Sequence, residues 1–318
     1  MNKVMIEVKN TLKEVFHTVF ILLRIIIPIS IVVKILEEFG VIDIIGRFLG
    51  PVMKIVGLPG ECGLIWATAM VTNIYGGIIV FFTMATTIPF TIAQVTILCS
   101  MILVAHSLPV ELRIAQKAGV RLWFMFVLRV FSAFLLGLIL HHIYNGFSIL
   151  QARVRILWKP GIIDPSIISW IVGQLKNYAM IFIIIFVLIS IMRVLKVLGV
   201  VERLNRALKP LLRIIGMSKD AAPLTIIGMT LGLAYGGGLI INEARSGKLN
   251  KQDVFLSLSF MGMSHSLIED TILMMAMGAS LSGILLARIL FTIIAMLMLI
   301  RLVKHISNHS FKRYFVRR

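Results

Sequence analysis

The chain has 318 residues, of which 59% are apolar and only 14% charged, and its mean hydropathy is +0.99. A soluble domain of this size carries about 25% charged residues, so this chain lacks the polar surface a soluble globule needs. Its formal charge of +18 does not indicate nucleic acid: the basic residues lie between and beyond apolar runs, where membrane proteins keep cytoplasmic Lys and Arg, and none belongs to a separate basic domain.

Taken in chain order, the first apolar stretch spans about 15–36 and is interrupted by Arg24, with no small-residue cleavage site after it. It reads as a retained membrane span rather than a signal peptide. An amphipathic segment over 41–57 follows, with Asp43, Arg47 and Lys54 on one helical face and apolar residues opposite, the pattern of a helix lying in the membrane interface. Further apolar spans are expected over 62–83, 92–107 and 120–141, then over 170–195, 221–242, 254–268 and 281–303. Tyr178 to Met192 carries no charge, and Leu281 to Ile300 carries only Arg288. Runs of about 20 apolar residues cross a hydrocarbon core of about 30 Å and must be helical to satisfy their own backbone in lipid. Cys62 and Cys99 stand far apart in sequence and suggest neither a disulfide nor a zinc site.

The chain is a duplication. Val41-Ile42-Asp43, Arg47, Leu49, Pro51, Lys54-Ile55 and Gly57 recur 159 residues later as Val200-Val201-Glu202, Arg206, Leu208, Pro210, Arg213-Ile214 and Gly216. The same offset carries His106-Ser107-Leu108 onto His265-Ser266-Leu267, Glu111 onto Asp270 and Arg129 onto Arg288, while Tyr75-Gly76-Gly77 recurs as Tyr235-Gly236-Gly237 at 160. The predicted organisation is a first repeat over 1–145, a linker over 146–169, a second repeat over 170–303 and a basic tail over 304–318. An odd number of crossings per repeat would invert the copies and place the N-terminus, Arg193–Lys219 and the basic tail on one side. That arrangement requires one re-entrant segment per half, and the basic stretch Arg153–Lys159 counts against it. The expected fold is an all-α, polytopic membrane bundle of two inverted repeats, with interfacial amphipathic helices and broken or re-entrant helices.

Two motifs carry chemistry. Ser264-His265-Ser266-Leu267-Ile268-Glu269-Asp270-Thr271 lies between apolar runs, where each charge costs about 2.5–3.5 kcal/mol and commonly marks a site. It reads either as a ligand or ion site or as a polar helix cap. Its first-half counterpart keeps His106, Ser107 and Glu111, which suggests one shared polar centre. One His with two carboxylates is an incomplete ligand set, so no metal site is expected. Asn73, Tyr75, Gly76 and Gly77, with Tyr235, Gly236 and Gly237, form the second motif, either an unwound backbone that binds solute or close packing through small residues. Arg129 and Arg288 read as counter-ions to Glu111 and Asp270. No nucleophile–base pattern, phosphate loop or dinucleotide fingerprint occurs, so neither an enzyme nor a cofactor is expected.

With Asn73-Ile74-Tyr75-Gly76-Gly77 and Ser264-His265-Ser266-Leu267-Ile268-Glu269-Asp270-Thr271, the chain resembles bacterial membrane proteins with the nucleoside-recognition, or Gate, domain. Relatives include concentrative nucleoside transporters, the membrane part of the bacterial ferrous-iron transporter and spore-maturation membrane proteins. The resemblance spans about 15–140 and 170–303. It implies a multi-pass protein of the bacterial inner membrane with a polar site at its helix breaks, but no particular substrate. The sequence carries no G-protein domain, so coupled iron uptake of that kind is not expected. The leading expectation is a secondary transporter or permease for a small polar solute, nucleoside-like or ionic. It would act with a coupling proton or cation, with the bilayer and a second copy of itself as partners. The binding residues would be Asn73, Tyr75, Gly76, Gly77, His106, Ser107, Glu111, Tyr235, Gly236, Gly237, His265, Ser266, Glu269, Asp270 and Thr271. The alternatives are a non-transporting membrane assembly partner and an intramembrane enzyme acting on a lipid.

Overall fold

The computed structural model describes residues 38–85, 88–154, 167–200, 221–232 and 249–316, with scattered helical positions elsewhere. Among the described residues the chain is helical, and its only β-type pairings are the isolated bridges Thr91–Arg153 and Val120–Val316. α1 (Val41–Ile55) follows Gly40, whose φ of 66° turns the chain out of the preceding helix. Ile44, Phe48, Val52 and Ile55 are exposed on it beside Arg47 and Lys54. Apolar and basic side chains both facing outward suit a helix at the lipid–water boundary. The corresponding second-half segment, 200–216, lies largely outside the described residues.

The expected single span over 62–83 is two helices, α2 (Cys62–Val71) and α3 (Ile74–Met84). They have 10 and 11 residues, and at 1.5 Å rise per residue each is only about 15–17 Å long, half a bilayer core. They fold against each other as a hairpin. A Cβ added to Gly77 would lie 2.7 Å from the Ala69 Cβ and 3.4 Å from the Ile65 carbonyl oxygen, so glycine permits the close approach.

α4 (Ile92–Val104) opens with a capping box between Thr91 and Gln94, and α5 (Leu108–Lys117) has Pro109 in its first turn. α6 (Leu122–Gly146) and α7 (Ile167–Val197) are long, at 25 and 31 residues. In the second half come α8 (Ala221–Leu231), α9 (Lys251–Met263), α10 (Glu269–Ala276), α11 (Ser282–His305, with a π-helical start over Ser282–Ala287) and α12 (Asn308–Tyr314). Three described helical stretches, Ile92–Lys117, Leu122–Gly146 and Ser282–His305, are long and apolar enough to cross a membrane.

α6 runs antiparallel to α4. The backbone N–H groups of Ile92 and Ala93 bond to the carbonyls of Ala152 and Leu150 just beyond α6, while Arg129 near the start of α6 reaches the Val104 carbonyl at the end of α4. α9 begins at the other end of α6. Phe255 packs on Phe124, Phe311 and Phe315, and Gly262 lies under Met125 and Arg129. α11 begins beside Thr96 and Tyr144, touched at Gly283 and by the Tyr144–Ser282 hydroxyl bond of 2.8 Å. Burial is inside out. Leu286, Leu290, Ile294, Met298 and Leu302 form an exposed stripe on α11, whereas Arg288 and Thr292 are fully buried. Polar groups inside and apolar groups outside is the distribution that lipid, not water, selects. The molecule is an all-α membrane helical bundle.

Candidate functional site at the two helix breaks

The two His-Ser-Leu motifs form matching elbows. α4 stops at Val104 and α9 at Met263, and the histidine follows two residues later in each case. Ser107 and Ser266 then take left-handed backbone, with φ of 50° and 46°. Such a conformation costs a non-glycine residue about 1–3 kcal/mol and clusters at functional positions. Here it turns the chain sharply enough that each imidazole folds back on its own helix: His106 Nδ1 lies 2.8 Å from the Ile102 carbonyl oxygen and His265 Nδ1 lies 2.9 Å from that of Met261. Each elbow is stitched to a neighbouring helix, by Ser107 N–H to the Ala69 carbonyl (3.0 Å) and by Leu267 N–H to the Met229 carbonyl (2.9 Å).

A carbonyl oxygen only accepts, so Nδ1 is the protonated nitrogen of both rings and Nε2 faces the centre of the bundle. The two Nε2 atoms are 3.3 Å apart. Glu111 Oε1 lies 3.3 Å from His265 Nε2 and 3.7 Å from His106 Nε2. The other Glu111 oxygen is held by Arg129 Nη1, and Arg129, fully buried, also donates from Nε to the Val104 carbonyl at 2.9 Å. Arg288, its counterpart, donates from Nη2 to the His265 carbonyl at 3.3 Å. Arg129 therefore satisfies an orphan carbonyl at the negative end of α4, while Arg288 bonds the elbow carbonyl just past the end of α9.

The halves differ in how they use their acid. Glu111 is tied to Arg129, whereas Asp270 Oδ2 is buried and has no hydrogen-bond partner among the described residues, like Thr271 Oγ1, Ser264 Oγ, and Nε and Nη1 of Arg288. A carboxylate oxygen of Asp270 lies within 4.8 Å of a ring nitrogen of both His106 and His265.

Of the residues read from sequence, His106, Glu111, His265 and Asp270 come together, with Thr271 buried beside them and half-buried Glu269 opening α10. Ser107 and Ser266 contribute backbone shape. Asn73 caps α3, its Oδ1 accepting the Gly76 N–H at 3.0 Å. Of the two readings of Tyr75-Gly76-Gly77, unwound backbone or close packing, the fold follows packing: these residues lie inside α3, and the break is at Thr72–Asn73. The Asn73 cap starts α3, and Gly77 serves packing. Tyr235, Gly236 and Gly237 lie outside the described residues. Arg129 and Arg288 did not enter the predicted binding set, although their recurrence at the histidine offset was the available signal. The expected convergence of the two motifs on one polar centre is what brings the second histidine in from the other half.

The model of the family described as nucleoside recognition, Gate, matches the chain twice, over residues 19–120 and 175–283. A protein of Bacillus subtilis (strain 168) described as the uncharacterized membrane protein YvoD is 27% identical over 282 residues, covering 86% of this chain and 88% of its own. No solved structure matches.

Proposed function

The chain belongs to the Gate, or nucleoside-recognition, family, and on that premise we propose that it is a transporter or permease of the bacterial inner membrane, moving a small polar solute or ion through a site at the junction of its repeats. One observation carries the reading: the duplicated His-Ser-Leu-acid motifs, 159 residues apart, meet with their imidazole nitrogens 3.3 Å from each other. Ionisable groups at membrane depth are costly and persist where a pathway or site needs them. A binding site between repeats at broken helices is the plan of many secondary transporters.

We propose further that the copies are inverted. α4 begins beside the end of α6, and its counterpart α9 begins beside the start of α6, so equivalent helices run in opposite directions. The α2–α3 hairpin, built of two helices each too short to cross, supplies the re-entrant segment that inversion requires of the first half. The whole chain in proteoliposomes, offered a panel of nucleosides, small anions and cations, tests the proposal. Flux is expected for at least one solute and is expected to fall by more than about tenfold in His265→Ala with Asp270→Asn. Flux unchanged by that pair of substitutions removes the site assignment.

The second reading, a membrane assembly partner that transports nothing, is favoured by the burial of the centre. His106 and His265 are 6% and 2% exposed, and apolar side chains such as Leu108 and Leu267 surround the elbows. It expects no flux for any solute and a stable complex with other envelope proteins.

A further inference from the structure

We propose that His106, His265, Glu111 and Asp270 bind a divalent transition-metal cation at the junction of the repeats. The inference names a solute class for the transport reading and rests on that reading only in treating the ion as cargo; binding stands or falls separately.

The geometry carries it. With Nδ1 of both rings donating to carbonyls, the inward Nε2 atoms are lone pairs, and they meet a carboxylate oxygen, Glu111 Oε1. With both imidazoles neutral, three acceptors converge with no donor among them, an arrangement that a bound cation stabilises. The triangle has edges of 3.3, 3.3 and 3.7 Å, and the point in its plane equidistant from the corners lies about 2.0 Å from each, the bond length of zinc to imidazole nitrogen or carboxylate oxygen. A hydrogen bond needs only two of these atoms. Three at one shared bond length suit a bound cation, and Asp270, whose Oδ2 is without a hydrogen-bond partner among the described residues, has a carboxylate oxygen within 4.8 Å of a ring nitrogen of each histidine and is the nearest further ligand.

The surroundings match too. Metal-bound histidines typically donate their other ring N–H to a carbonyl or carboxylate, which fixes the tautomer and aims the lone pair, and both histidines do so through the carbonyl four residues back. Arg129 holds the far oxygen of Glu111 and so aims the near one. Two neutral imidazoles and two carboxylates give a formal charge that cancels a divalent cation, with Arg129 and Arg288 outside the ring of donors. Imidazole ligands favour Zn²⁺, Fe²⁺, Co²⁺ or Ni²⁺ over Mg²⁺ and Ca²⁺, which take oxygen.

The test uses the full chain in detergent micelles, freed of any affinity tag, stripped with chelator and equilibrated with Zn²⁺ or Co²⁺. Elemental analysis is expected to find a single tightly held ion per chain, undiminished by excess Mg²⁺. His106→Ala and His265→Ala, each checked for retained helicity and monodispersity, are expected to weaken binding by more than about tenfold. X-ray absorption on the unsubstituted chain needs no variant and is expected to show nitrogen and oxygen neighbours at about 2.0–2.1 Å, with imidazole outer-shell scattering. The proposal is overturned if no stoichiometric ion is retained. It is equally overturned if the ion survives the double histidine substitution but is lost with His141→Ala and His142→Ala, the adjacent pair near the end of α6. In proteoliposomes, binding without flux leaves this site standing and removes the transport reading. Flux of a polar solute by a chain that retains no ion does the reverse.

Discussion

Arg129 and Glu111 are both buried among lipid-facing helices, and each makes the other tolerable. An unpaired charge there faces a desolvation penalty of several kcal/mol, whereas the pair with its carbonyl contact is neutral and largely hydrogen-bonded. Arg129→Met strands Glu111 beside two imidazoles and also uncaps the Val104 carbonyl. It is expected to destabilise the protein by about 3–5 kcal/mol, read as a lowered Tm in detergent. Combining it with Glu111→Leu is expected to restore most of that loss, because no orphan charge remains. If the double variant is no more stable than Arg129→Met, the pair is not the element that keeps these residues in the core. The elbow serines yield a second expectation. Ser107 and Ser266 hold positive φ without glycine, so Ser107→Gly relieves about 1 kcal/mol of backbone strain, while Ser107→Val is expected to lower Tm because a β-branched residue tolerates that conformation poorly.

Among the helices, the α2–α3 hairpin shows where sequence reading succeeds and where it stops. The apolar runs, the amphipathic segment over 41–57 and the polar stop before each histidine are local patterns, and local periodicity identifies them. The position of the break in the second apolar run is also local, but two signals compete there. Two glycines suggest an unwound backbone, while the asparagine just upstream suggests a new helix start, and the cap prevails because Asn73 satisfies an otherwise orphaned N–H. Both glycines are then helical, and Gly77 sits at the α2–α3 crossing, where a larger residue would not fit. Gly77→Ala is accordingly expected to cost about 1–3 kcal/mol through overpacking, since its Cβ would meet that of Ala69. Ala69→Gly in the same chain opens that space and is expected to recover part of the loss, measured as Tm or as resistance to proteolysis in detergent.

At the scale of the whole molecule, the site was legible only through the duplication. Each half by itself offers one histidine and its acids, and the proposed metal site takes a ligand from both halves. What periodicity could not supply is the meeting of residues 159 positions apart, because that depends on the relative direction of the two halves. Direction is therefore the property to measure. Inverted copies place the starts of α4 and α9 on opposite membrane faces. Gln151, next to the residues that pair with the start of α4, and Lys251, at the start of α9, are both exposed, as are Lys117 and Arg313 at the end where Val120 bridges Val316. In a chain with the buried Cys62 and Cys99 replaced by alanine, single cysteines at these positions can be probed with a membrane-impermeant maleimide on intact cells. Gln151→Cys is expected to label from outside. Lys251→Cys, Lys117→Cys and Arg313→Cys are expected to label only after permeabilisation, as the positive-inside rule places the basic tail on the cytoplasmic side. Labelling of Gln151→Cys and Lys251→Cys from the same face would mean parallel copies. The histidine elbows would then have to approach from one side, which α4 and α9 running in opposite directions do not allow.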